Sequence, residues 1–181
     1  MNGKNIKNYV FSSILGLAIF SLLQNVYAKE GQLASLAQLK SLFIHKFINY
    51  IEWPPGGNTK EMSILVIDDE LLFNEMSKLA NTKKSTQYSI KIEKNNNHLS
   101  KNLKIIFISK AEQANKLLPK VVKMPILTIT EGNDDKAAKG IIHFFILNKK
   151  LRFEINNDLA ISANIEINSR LLNLSQKMGE Q

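Results

Sequence analysis

Ser63-Ile64-Leu65-Val66-Ile67-Asp68-Asp69-Glu70 is a run of branched apolar residues that ends abruptly in three acids. A run this short, apolar at successive positions and rich in β-branched side chains, reads as a strand buried on both faces. Leu72, Met76 and Leu79 follow on one helical face, so a helix is expected from Asp69 to Leu79. The same succession returns downstream. Leu103 to Ile108 reads as a buried strand, Ala111 to Val122 as a helix, and Pro125 opens a further strand through Thr130. Strands that alternate with helices in this way indicate an α/β chain.

Working outward, Leu33 to Ile51 carries Leu36, Leu39, Phe43, Phe47, Tyr50 and Ile51 at the spacing of an amphipathic helix. Glu52-Trp53-Pro54-Pro55-Gly56-Gly57 stops it, because proline disfavours helix at its own position and at the one before. Tyr88 to Glu93 alternates as a half-exposed strand does, and Asn95-Asn96-Asn97 is a loop signal. Ile141 to Leu147 and Lys150 to Ile155 are two strands that can turn at Asn148-Lys149 as a tight hairpin. Asn156 or Asn157 is placed to cap a short helix through Ala163. Asn168-Ser169 is placed to cap a last one, with Leu171, Leu172, Leu174 and Met178 apolar. The expectation is a single-domain α/β sandwich, a mixed sheet of about five to six strands flanked by helices.

Ahead of this domain, Lys4 and Lys7 precede an uncharged stretch from Asn8 to Tyr27 whose apolar heart is Val10 to Leu23. As a helix that heart is roughly 21 Å long, short of a hydrocarbon core of about 30 Å. Val26-Tyr27-Ala28 then offers small residues where a signal peptidase needs them. Residues 1–28 therefore read as a secretory signal peptide cleaved after Ala28, with an uncleaved anchor as the competing reading. Residues 29–181 are the expected exported domain, in the periplasm. The 181-residue chain contains no cysteine, which excludes disulfides, thiol chemistry and the cysteine-linked lipid anchor. Its 24 basic and 16 acidic residues give a formal net charge of +8. The lysines are scattered, and export argues against nucleic acid as the partner.

The acids Asp68 and Asp69 after an apolar strand resemble a response-regulator receiver, but only superficially. A receiver needs an aspartate at the end of its third strand, and Ile105-Ile106-Phe107-Ile108 ends in Ser109-Lys110. Asp68 and Asp69 are read instead as acids at a helix start. His45, His98 and His143 show no metal-ligand spacing. Glu131, Asp134 and Asp135 read as a solvated acidic loop, without the glycine-centred array of a calcium site. Ser109, Ser162 and Ser169 lack nucleophile context, and no glycine-rich loop would cradle phosphate. No catalytic residue, metal site or cofactor is expected.

Two segments carry a signature. One is Leu39-Lys40-Ser41-Leu42-Phe43-Ile44-His45-Lys46-Phe47-Ile48-Asn49-Tyr50-Ile51-Glu52-Trp53-Pro54. The other joins Gly140-Ile141-Ile142-His143-Phe144 to Leu151-Arg152-Phe153-Glu154-Ile155-Asn156 and Ser169-Arg170-Leu171-Leu172. This ordered set resembles the YfiR family of exported bacterial proteins. The resemblance implies a periplasmic, non-enzymatic regulator that binds the periplasmic sensor region of an inner-membrane signalling enzyme. In the family's best-known member the enzyme is a membrane-bound diguanylate cyclase, whose repression lowers cyclic di-GMP and whose release favours biofilm formation. An outer-membrane lipoprotein is the second partner it implies, and it allows a homodimer. The disulfide-based redox element of relatives cannot operate in a chain with no cysteine.

Within the signature, Trp53, Arg152 and Glu154 are the candidate partner-binding residues. Phe47, Glu52, Pro54, Phe153, Ile155 and Asn156 are expected to be framework. Two readings compete with the regulator. One is a periplasmic small-ligand sensor with a pocket at the strand ends near Asp68, Ser109 and Thr130. The other is a hydrolase or metal enzyme, which would need His45, His98 or His143 to converge with acids.

Overall fold

The computed structural model describes residues 31–54, 61–82, 89–95, 99–134 and 136–179. The expected signal peptide, Tyr88, His98, Asp135 and Pro55 lie outside them, as does the side chain of Met178. The chain parts into two compact units, Met1–Ala37 and Gln38–Gln181. Of the first, residues 31–37 are described, and they are helical. The second unit carries the α/β domain.

That unit opens with helix α1 (38–47), a 3-10 turn (Ile48–Tyr50) and the short strand β1 (Ile51–Glu52). Then come β2 (Glu61–Ile67), α2 (Glu70–Thr82), β3 (Ser89–Lys94), β4 (Leu103–Ile108) and α3 (Ala111–Val121). The chain continues through β5 (Leu127–Glu131), β6 (Ile142–Leu147), β7 (Lys150–Ile155), α4 (Asn157–Ser162), β8 (Glu166–Ile167) and α5 (Ser169–Gly179). The main sheet has the order β3-β2-β4-β5-β6-β7, parallel from β3 to β6 and antiparallel at β7. β1 and β8 form a separate antiparallel pair.

The mixed six-stranded sheet matches the expected class, and the hairpin turns where expected. Asn148 and Lys149 have φ of 50° and 60°, the doubly left-handed geometry of a two-residue turn that follows the twist of the strands. Asn156 caps α4 through the Leu159 N–H, and Asn168 Oδ1 accepts from the Arg170 N–H at the start of α5. Two expectations are corrected. The first helix stops at 47 rather than 51, because Ile51 pairs with Ile167, its partner in a strand of two residues that periodicity cannot register. Its buried stripe also differs. Lys40, Ser41, Ile44, Phe47 and Ile48 face inward, whereas Leu39 is 40% exposed.

Alternation divides the sheet into two faces. Leu65, Ile67, Ile106 and Ile108 pack with Ala114 and Leu118 of α3 on one side. On the other, Phe43 and Phe47 of α1 meet Phe144 of β6 and Phe153 of β7, with the Phe47 and Phe153 ring centroids 5.1 Å apart. Phe107 faces this second side, under α1. In α5, Leu171 is buried and Leu174 is half exposed.

Candidate functional site

The chain leaves β2 for β3 on one side and returns to β4 on the other, so the strand order reverses between β2 and β4. In open α/β sheets the crevice outside the carboxyl ends of such strands is where ligands bind. On the α1 side of that point a buried charge cluster forms. Lys40 on α1 is buried, its ammonium 2.5 Å from Asp69 Oδ2 and 3.0 Å from Glu131 Oε2. It also lies over the Phe107 ring, 5.1 Å from the centroid. Ser109 Oγ donates to Glu131 Oε1 at 2.6 Å, and Asp69 Oδ1 accepts the Leu72 N–H at 2.9 Å, capping α2. Every polar group of the cluster therefore has a partner inside the protein, which is what a buried charge requires.

This corrects the reading of Glu131 as a solvated loop acid: it ends β5 and neutralises a buried lysine. Of the strand-end residues that the small-ligand reading named, Ser109 belongs to this cluster, Thr130 bonds to His143, and Asp68 lines a groove of about 590 Å³ with Asn95, Leu99 and Lys116. Asp68 itself adopts φ 59°, a left-handed conformation that aspartate tolerates, and faces Lys110 at 3.6 Å. Lys40 sits inside the quoted signature as one more helix lysine. Only its position three residues before Phe43 and four before Ile44, on the inward stripe, could have marked it.

His143 is buried on β6 and fully engaged. Nε2 donates to the Gly132 carbonyl, 3.0 Å away, so Nδ1 accepts from the Thr130 hydroxyl at 2.8 Å. Thr130 Oγ1 accepts in turn from the Gly140 N–H. Burial pushes the imidazole pKa below its ordinary 6.5, against the pull of the Gly132 hydrogen bond. His45 lies on α1, half-buried, and among the described residues no three metal-ligating side chains converge. Asp134 receives the Lys136 N–H, Ser162 donates to the Asp158 carbonyl, and Ser169 starts α5.

The candidate partner-binding residues fall in separate places. Trp53 and Pro54, half-buried, line a groove with Glu52, Ile161, Asn164, Ile165 and Glu166. Glu154 lines a second groove with His143 and Asn156, and pairs with Lys139 at 2.8 Å. Arg152 shares the Glu154 face of β7, opposite Phe153, and makes no ion pair with it. Phe47 and Phe153 are buried in the aromatic cluster, and Ile155 is partnered by Ile142. Glu52 is exposed and stands directly opposite Glu166. Sequence reasoning missed Glu166 and Ile161, since β8 and its pairing have no periodic signal.

Among the described residues no helix is long and apolar enough to cross a membrane. No curated protein matches the chain. The YfiR/HmsC-like family does, over residues 37–176, from α1 into α5 and so across the whole sheet, the Lys40 cluster and the Trp53 groove. A match of that extent covers the architecture just described, and the chain belongs to the YfiR/HmsC-like family.

Proposed function

We propose that the protein is an exported, non-enzymatic regulator that binds the periplasmic sensor region of an inner-membrane signalling enzyme. The enzyme class that the family indicates is a diguanylate cyclase, repressed so that cyclic di-GMP and surface attachment fall. The observation that carries this reading is the family match across residues 37–176. The interior of the fold supports it. On the α1 side of the strand ends Lys40, Asp69 and Glu131 neutralise one another, so these charged groups are committed to the fold rather than to catalysis. Deletion of the gene should raise cyclic di-GMP and attachment, and complementation should restore both. Unchanged levels in the deletion strain count against the reading. Pull-down with periplasmic sensor regions from the same cell identifies the enzyme.

A small-ligand sensor is the second reading. An apolar groove of about 240 Å³ beside α3, lined by Leu118, Val122, Ile126, Ile141 and Leu159, favours it. A thermal-shift screen of metabolites without a stabilising compound would remove it.

A further inference from the structure

Glu52 of β1 and Glu166 of β8 are direct partners across the two-stranded sheet. Residues so paired project from the same face, with Cα atoms about 4.5–5.5 Å apart. Both glutamates are exposed, and neither has an ion-pair partner among the described residues. Like charges placed directly opposite repel and weaken the pairing. The chain has 24 basic residues, and several of the other described acids are matched to lysines. Asp69 and Glu131 share Lys40, Glu70 faces Lys94, Asp68 faces Lys110, and Glu154 faces Lys139. What sets Glu52 and Glu166 apart is that they face each other directly across a strand pair, with no ion-pair partner among the described residues.

The pair lies on a groove of about 400 Å³ whose walls include Trp53, Pro54, Ile161 and Ile165. Ile161 is 63% exposed, the most exposed large apolar side chain described. The Trp53 indole N–H is shut off from solvent and has no acceptor among the described residues. A buried donor left unpaired bears the full cost of its lost water. One small surface thus combines an aromatic wall, an exposed aliphatic side chain and two carboxylates without an ion-pair partner among the described residues.

We propose that this groove docks a segment of a partner protein that carries an arginine beside an apolar residue. The planar guanidinium, with five donors, suits two carboxylates held side by side better than a point-like ammonium does. The neighbouring apolar side chain covers Ile161 and the half-buried Trp53 ring. Docking also removes the repulsion between Glu52 and Glu166, a gain realised only in the complex. The inference rests on the reading of the protein as a partner-binding regulator, and adds the surface and the chemistry it recognises.

Trp53 is the only tryptophan in the chain, so its fluorescence reports on this groove alone. The purified protein is titrated with a short synthetic peptide in which arginine alternates with leucine, and with its counterpart bearing glutamate for arginine. The arginine peptide shifts Trp53 emission saturably, more weakly as salt is added, and the glutamate peptide does not. Glu52→Gln with Glu166→Gln weakens the arginine peptide about tenfold or more, while Tm is unchanged or raised because the repulsion is gone. Equal response to both peptides, no response to either, or undiminished binding by the double variant overturns the proposal. A homodimer that the double variant dissociates assigns the face to a second copy, which also overturns it. In cells, full complementation of the deletion strain by the double variant overturns docking here and leaves the regulatory reading standing. A deletion without phenotype overturns that reading instead, and the peptide titration still decides the groove.

Discussion

The ammonium of Lys40 lies 3.0 Å from the Glu131 carboxylate, a contact that ties α1 to the end of β5 across 91 positions of chain. Asp69 completes the arrangement from the end of β2. One lysine therefore joins three elements at the point where the sheet reverses its order.

Lys40→Met is expected to cost about 3–5 kcal/mol, because it leaves two carboxylates facing each other with no counter-ion. Asp69→Asn with Glu131→Gln on that background should recover much of the loss, since the amides carry no charge and Asn still caps α2. Urea denaturation of the single and triple variants checks both. A Lys40→Met protein as stable as the parent would remove the cluster's structural role.

His143 makes stability depend on pH in one direction. Its folded pKa lies below the ordinary 6.5, so the unfolded chain binds the proton more readily. The contribution is full above about pH 6.5 and is lost as pH falls below it, at up to about 1.4 kcal/mol per pH unit. His143→Gln should flatten that slope between pH 6.5 and the onset of carboxylate titration. Denaturation midpoints measured across this window, for parent and variant, give the comparison.

Gly140 precedes β6 in close contact with β5. A Cβ there would stand 2.6 Å from the Thr128 carbonyl oxygen and 2.9 Å from its carbon. Both are backbone atoms of the central sheet and cannot swing aside. Gly140→Ala should destabilise by about 1–3 kcal/mol, seen as a lower Tm.

Lys149 occupies a left-handed position, φ 60°, at the second place of the β6–β7 turn. Glycine takes this conformation without the Cβ penalty, and Asn-Gly is the favoured pair there. Lys149→Gly is expected to stabilise by about 0.5–1 kcal/mol, measured by thermal unfolding.

Much of the fold was legible because its signals are local. β4 and β7 run between the residues where apolar runs begin and end, Leu103–Ile108 and Lys150–Ile155. The caps at Asn156 and Asn168 act within three residues of themselves. β1 and β8 were illegible, since two residues do not make a period and their pairing spans the whole domain. The candidate site was legible in part. Trp53 stands out as the only tryptophan, before two prolines. Nothing near it in sequence announces Ile161 or Glu166.

The sequence by itself determined the α/β class, the hairpin at Asn148-Lys149, the absence of thiol chemistry and the family, since each depends on residue type and near-neighbour spacing. Only the tertiary structure decided which charges are buried and which are left over. Lys40 reads as one more surface lysine until Asp69 and Glu131, 29 and 91 positions away, are brought to it. Glu52 reads as a helix-end acid until Glu166 is set opposite. Whether a charge is neutralised depends on distances of a few ångströms between groups remote in the chain, and the folding of the sheet sets those distances.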